Sequence, residues 1–347
     1  MKLVPGKLYF LTERDFLTGE ISPYVKIGLV RNEKETLARI KEHKTGNPRE
    51  IIDHCSLEAP MVEHLETNMH YLYADCWITG EWFRMKSERL EESIETARQL
   101  IKQQELAEDA IREAQELNEQ QSDGTKEPTT EDQALYDTLL EKRSQQEILK
   151  AKLAIVDNKL RAAMSTYAGI EGIADLRISE GKEGFSGAAL KKDHPELHET
   201  YSSSVTGKIG GSFLVKSLPR LKDLNLELSE ELSNSKFTKP SFSEMLDTPL
   251  ARTNELTKLH DEFISLQPER VKLKWEIAQL EAKLKCAVGT HEYLGELVQW
   301  TRKMKTSNVF DKEGFMNDHP ELVAKYTVRS NDTYSVLLRP HREYAVE

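Results

Sequence analysis

Tyr9, Tyr24, Lys26, Arg39, His43, Glu66 and His70 carry the chemistry of the first quarter of this 347-residue chain. Phenols, cations, imidazoles and one carboxylate in that order suit a reaction at phosphorus. Cutting a phosphodiester takes a positive side chain on the non-bridging oxygens, a hydroxyl or water held in line, and usually a metal ion on the developing charge. The segment around them is locally basic, with Lys26, Arg31, Lys34, Arg39, Lys41, Lys44 and Arg49 set against only Glu33, Glu35 and Glu42. The whole chain has a formal net charge of −11, with an acid-rich stretch between Glu88 and Asp132, so the basic patch is a local feature.

Each residue also has a bland reading. Arg39 and His43 suit a solvated helix surface, and Glu66 with His70 at i, i+4 suits a helix-surface pair worth a few tenths of a kcal/mol. Tyr9 suits half-buried strand filler, and Trp82 and Phe83 suit a core. Order and spacing decide between the two sets of readings.

The elements that must position these residues form a compact α/β unit over residues 1–86. KLYFLT reads as a strand, FLTGEISP as a hairpin-like turn and YVKIG as a second strand, with Gly28 giving a tight backbone turn that leaves room for phosphate. Leu37 and Ile40 mark one helix and Val62, Leu65 and Met69 another, and CWITGEWFRM closes the unit with a strand around Gly80. Residues 87–132 read as a charged helix followed by QQSDGTKEPTTED, which has the composition of a flexible linker and domain boundary. No run approaches the roughly 18 apolar residues of a membrane span, and MKLVPGKLYF places a proline and charges where a signal peptide is apolar. The expectation is a cytoplasmic protein without membrane contact. Cys55, Cys76 and Cys286 lie far apart with no CxxC pair, which supports neither a disulfide framework nor a cysteine zinc site.

Taken together, KLYF at 7–10, YVKIG at 24–28, RIKEHKTGNP at 39–48, LETNMH at 65–70 and GEWF at 80–83 resemble the GIY-YIG nucleases. The likeness is to a phage-associated branch whose final strand carries a G-E-W-F pattern, and it covers the first quarter of the chain. It implies a metal-dependent endonuclease acting on DNA. In that family the first tyrosine helps to activate the attacking water, the helix arginine binds the scissile phosphate and one glutamate holds one divalent cation. Carried over, those roles fall on Tyr9, Arg39 and Glu66, with Mg2+ as the ion and Mn2+ as its substitute. Lys26 stands where a second tyrosine is usual, and Tyr24 lies two residues earlier on the same face. Lys26, Tyr24 and His43 join the catalytic candidates, and Arg31, Lys41 and Lys44 the substrate contacts. The rival reading is a non-catalytic nucleic-acid-binding or assembly scaffold with a degenerate head, which Lys26 favours. RNA stays open as a substrate, because phosphate chemistry does not distinguish the sugars.

Beyond the linker lies an internal repeat. Asp193-His194-Pro195-Glu196-Leu197 recurs as Asp318-His319-Pro320-Glu321-Leu322, and at the same offset Arg177, Phe185 and Tyr201 match Arg302, Phe310 and Tyr326. Upstream, Leu139, Leu149, Leu153, Val156 and Leu160 match Phe263, Leu273, Ile277, Leu280 and Leu284, a heptad-like seam in both copies. The seams are expected to pair with each other or with those of a second chain, giving a homo-oligomer. Pro268 should break the second helix. DHPEL reads as a helix cap rather than a zinc site, because the position of His198 is Val323 in the second copy. The expected fold class is α+β: a small α/β catalytic head, then mostly α-helical tandem modules with short β-hairpins. Its parts are residues 1–86, 87–132, 133–216, a polar linker at 217–250, and 251–340.

Overall fold

The computed structural model describes residues 2–31 and 49–340. Arg39, Lys41, His43 and Lys44 lie outside the described residues. The class is α+β, an antiparallel N-terminal sheet followed by helices and further sheets.

The head is a sheet of order β3-β1-β2-β5-β4, built from β1 (Gly6–Arg14), β2 (Ile21–Arg31), β3 (Glu50–Ala59), β4 (Trp77–Thr79) and β5 (Trp82–Arg84). Central β1 is buried on both faces. Leu8 and Phe10 join Val25, Ile27 and Phe83 beneath α1 (Val62–Leu72) and α2 (Ser87–Asn118), while Tyr9 and Leu11 pack with Val30, Ile51 and Trp82 on the other side. The period-2 alternation of GKLYFLTER makes this possible, since successive side chains leave opposite faces. Asp15 ends β1, its carboxylate accepting from the Leu17 and Thr18 amides at 2.8 and 3.0 Å. Edge strand β3 has no strong alternation to announce it, since Asp53 and His54 interrupt its apolar residues.

Two further helices form the spine of the body. α3 (Thr130–Met164) opens with a capping box at Thr129 and Asp132. The next described elements are β6 (Thr125–Lys126), just before α3, and β7 (Gly169–Ile170), β8 (Ala174–Ser179), β9 (Glu183–Phe185), α4 (Gly187–Asp193), α5 (Pro195–Thr200) and β10 (Ser202–Val215) after it. Short α6 (Leu221–Leu224) and α7 (Leu226–Asn234) cross to the second copy: α8 (Asn254–Ser265), α9 (Gln267–Val288), β11 (Tyr293–Leu294), β12 (Val298–Phe310), α10 (Lys312–Asp318), α11 (Pro320–Tyr326), β13 (Thr327–Arg329) and β14 (Thr333–Leu338). Pro268 sits in the first turn of α9, and α8 has ended at Ser265. The α3 and α9 seams pair within the chain, with Lys142–Glu276 at 2.8 Å and an Arg143–Glu281 ion pair alongside. The segment of linker-like composition carries β6, which adds in parallel to β11, and a buried Ser122 bonded to the Arg302 backbone.

The copies exchange strands. The glycine-bearing segment of the first copy is one continuous strand, β10, and its partner is β12 of the second copy. Reciprocally, β14 and β13 of the second copy pair with β8 and β9 of the first. Both ribbons end on one cluster, where Phe185 stacks on Phe310 with centroids 6.0 Å apart and Leu190 and Phe315 are fully buried. The exchange is closed by a matched pair of hydrogen bonds: the Tyr201 hydroxyl donates to Asp318 at 2.6 Å and the Tyr326 hydroxyl to Asp193 at 2.9 Å. Such reciprocity defines a two-fold relation, here within one chain. It also corrects the reading of Asp193 as a cap. His194 occupies the N-cap position of α5 without a side-chain capping bond, and Asp193 is engaged by the other copy.

The symmetry fails at one instructive place. Arg177 is exposed, whereas its equivalent Arg302 is fully buried, donating to the carbonyls of Leu117, Gly289 and His291 and lying 3.9 Å from the Trp300 ring. These carbonyls belong to the C-terminal ends of α2 and α9, where a cation is favoured. Arg302 is enclosed because both helix ends reach it, whereas Arg177 lies exposed on β8.

Candidate active site

β2 organises the site. Its pairing with β5 runs only over Tyr24, Val25 and Lys26, opposite Arg84, Phe83 and Trp82. From Ile27 onward this edge of β2 turns from β5 toward α1. There the Ile27 amide still bonds the Glu81 carbonyl at 3.0 Å, and its carbonyl accepts from His70 Nε2 at 2.8 Å. Because a carbonyl only accepts, His70 carries its proton on Nε2. Burial pushes the His70 pKa down, which keeps the ring neutral between Trp77 and Phe83, at centroid distances of 5.0 and 5.3 Å. His70 thus ties α1 to β2.

Helical spacing does the rest: with Val62, Leu65 and Met69 turned into the core, Glu66 and His70 share the side of α1 that meets β2. Glu66 is half-buried, and its pKa is raised from 4.5 to about 7, first by burial and then by the neighbouring charge of Glu81, with Lys26 acting in the opposite sense. Glu81 had no role in the sequence reading, yet it closes the group. Lys26 lies on a buried face with its side chain 9% exposed, and its Nζ sits 2.5 Å from Glu81 Oε2. A buried ammonium needs such a counter-charge. The signal was present: Lys26 pairs with Trp82, which places the preceding glutamate of G-E-W-F beside it.

Gly28 corrects a second expectation. It does not end the strand or make a tight turn, since β2 continues to Arg31. Gly28 pairs with Tyr9, and a Cβ there would meet Tyr9 Oη at 2.4 Å and Cζ at 2.6 Å. The far end of the phenol occupies the space that a side chain at 28 would take, an aromatic laid across a cross-strand glycine. Lys26 follows on the same face of β2. Tyr24, two residues before it, is 42% exposed at the rim. Arg31 lies further along and donates from Nε to Glu63 at 2.8 Å in an exposed pair. The described residues thus bring Lys26, Glu66 and Glu81 together at the edge of β2 beside His70, with Tyr9 against Gly28 on the face away from α1, and Tyr24 and Arg31 at the two ends.

Among the described residues no group of three or more His, Cys, Asp or Glu is placed to hold a metal ion. The donor set fits a hard cation that keeps most of its waters and takes one or two carboxylates. Two acids crowd together here, and the raised pKa of Glu66 reports first its burial and then the neighbouring negative charge.

Residues 6–98 match the T5orf172 domain family. The T5orf172 domain is associated with nucleases of the GIY-YIG and homing-endonuclease type, which gives the head a nuclease-like or nucleic-acid-related character. The match takes in the whole five-stranded sheet, α1 and the first turns of α2, and ends before the repeats. No curated protein and no solved structure matches the chain. No helix of the described residues is long and apolar enough to cross a membrane.

One pH effect follows from the T5orf172-like head. The folded state holds the Glu66 proton more tightly than the unfolded chain, so stability falls as pH rises from about 4.5 to about 7 and then levels. Glu66→Gln lacks this loss. Between pH 4.5 and 8 the variant should gain roughly 1–2 kcal/mol on the parent, allowing for solvent screening of a half-exposed group. Urea unfolding of both proteins across that range measures it, and parallel curves would show that Glu66 ionises normally.

Proposed function

We propose that the head is a GIY-YIG-type endonuclease that hydrolyses DNA phosphodiester bonds with one Mg2+ held by Glu66. The observation that carries this reading is the cluster of Lys26, Glu66 and Glu81 at the edge of β2, where Tyr9 lies across Gly28 of the same strand. In hydrolysis a water oxygen bonds to phosphorus, the bond to the leaving oxygen breaks, and a water proton must be taken up. The bound ion would supply charge stabilisation at the phosphate oxygens, with Glu66 as its protein ligand and Glu81 close enough to join through water.

The chain's own groups do the positioning. Tyr9 is held by its glycine partner and directs a phenol oxygen to help orient and deprotonate the water. Lys26 brings a desolvated positive charge, oriented by Glu81, to the place where negative charge builds. His70 stays neutral and keeps α1, hence Glu66, against β2. Arg39 is assigned to the scissile phosphate, His43 to the same catalytic step, and Arg31, Lys41 and Lys44 to flanking phosphates, where charge-assisted contacts are strongest.

A second reading, a non-catalytic nucleic-acid-binding head, is favoured by the Lys26–Glu81 pair standing where a free tyrosine is usual in the family. Incubating the pure protein with supercoiled plasmid, linear duplex and RNA, with Mg2+ or chelator, separates the two. Nicked or linear plasmid appearing only with Mg2+ is the expected result. No cutting of any substrate over a series of divalent ions would favour the binding-only head.

A further inference from the structure

The two β-ribbons of the body are related by the internal two-fold but have opposite charge character. β10 and β12, of 14 and 13 residues, contain no Asp or Glu and carry Lys208, Arg302, Lys303 and Lys305. This occurs in a chain with 59 acidic residues and a net charge of −11. The equivalent ribbon, 174–185 with 327–338, carries Asp175, Glu180, Glu183 and Asp332 against Arg177, Lys182 and Arg329. Two of its acids are paired, Asp332 with Arg329 at 3.3 Å and Asp175 with Arg339 at 3.0 Å. A shared structural need would act on both arms, so the clearing of acids from one arm calls for a partner that touches only that arm.

The shape of that arm suits a large partner. Residues 203–208 and 303–309 are exposed without alternation, so neither face of the ribbon is covered. Its outward side chains mix hydroxyls (Ser203, Ser204, Thr206, Thr306 and Ser307) with lysines and with exposed Val205, Met304 and Val309. Six or seven exposed residues per strand at ~3.3 Å each span roughly 20 Å, more than half a turn of a DNA duplex, and a two-stranded ribbon fits the major groove. The register shift between Thr206 and Ile209 falls at Lys208, and a bulge adds twist of the kind that follows a duplex. Lys208 and Lys305 form no ion pair among the described residues. Lys303 is 65% exposed at its side chain and touches Glu292 at 3.5 Å, near the base of the ribbon.

We propose that the β10–β12 ribbon is a duplex-binding arm that lies along double-helical DNA, with Lys208, Lys303 and Lys305 on its phosphates. The choice of DNA as the polyanion rests on the nuclease reading of the head; the charge asymmetry does not. The arm would hold substrate in a sequence-independent way, through hydroxyl and ammonium contacts to the backbone.

Binding of the full chain to a fluorescent DNA duplex of about two helical turns is measured by anisotropy over a KCl series, in chelator so that nothing is cut. Each phosphate contact contributes about 0.9 to the slope of log K against log salt, so Lys208→Ala/Lys303→Ala/Lys305→Ala should reduce the slope by roughly 2–3. Arg177→Ala/Lys182→Ala on the other arm should leave it within about 0.5 of the parent. A triple variant with the parental slope and an unchanged circular dichroism spectrum overturns the proposal. So does a parent that binds no duplex DNA, or a slope change seen with duplex RNA or an acidic polypeptide and not with DNA. Because no cleavage is read, a head that never cuts plasmid would defeat the catalytic reading and leave the arm intact.

Discussion

Glu66→Gln should lower Mg2+-dependent plasmid cleavage by about 10³-fold while leaving duplex binding equal to or tighter than the parent's. The substitution keeps the shape of the side chain and removes the charge that holds the ion, and it also relieves the burial cost and the repulsion from Glu81 that together lift the Glu66 pKa to about 7. Glu63→Gln is the control. Glu63 lies nearly one turn earlier on α1, in an exposed pair with Arg31 that is worth little to stability. It should cut within a few-fold of the parent. Rapid Mg2+-dependent cutting by Glu66→Gln would refute the assignment, and loss of cutting in Glu63→Gln alone would move the ion one turn along the helix.

The other large effect belongs to a residue with no functional group. Gly28→Ala should cost about 10²-fold in cleavage, because a Cβ at 28 meets the Tyr9 hydroxyl at 2.4 Å and the buried ring must swing away. Overpacking of this kind should also cost about 1–3 kcal/mol of stability. Tyr9→Phe in the Gly28→Ala background removes the closest overlap, so it should recover part of the thermal stability and none of the cleavage. Parental turnover by Gly28→Ala would mean that the phenol is not held for catalysis.

Much of the head is legible from its alternation of side chains. KLYFLT becomes β1 as a short continuous apolar run buried on both faces, YVKIG becomes β2 with Val25 and Ile27 at period 2, and α1 appears where Val62, Leu65 and Met69 keep helical spacing. β3 stays hidden because an edge strand buries little and needs no such pattern. Gly28 invites the reading of a phosphate-binding turn, since glycine permits turns as readily as it yields space, and only the register with Tyr9 tells the two apart. Glu81 is missed for a related reason: adjacency to Lys26 arises from pairing between strands far apart in sequence. The repeat is plain in DHPEL, but equivalence between copies is the same whether strands pair within a copy or across the two. Phe185 and Phe310 match in either case, and only the fold places them in contact.

That exchange of strands sets the order in which the protein can mature. The head's own core is complete by Ile101, so it can close early in synthesis. The body cannot do the same, since Gly181 is joined to Asp332, 151 positions later, and β8 has only the two-residue β7 beside it until β14 is made. At about 5–20 residues per second, that wait is on the order of ten seconds. Throughout it the first copy presents unpaired strand edges beside a finished head, and the ribosome is where this chain is most exposed to aggregation and to capture by chaperones.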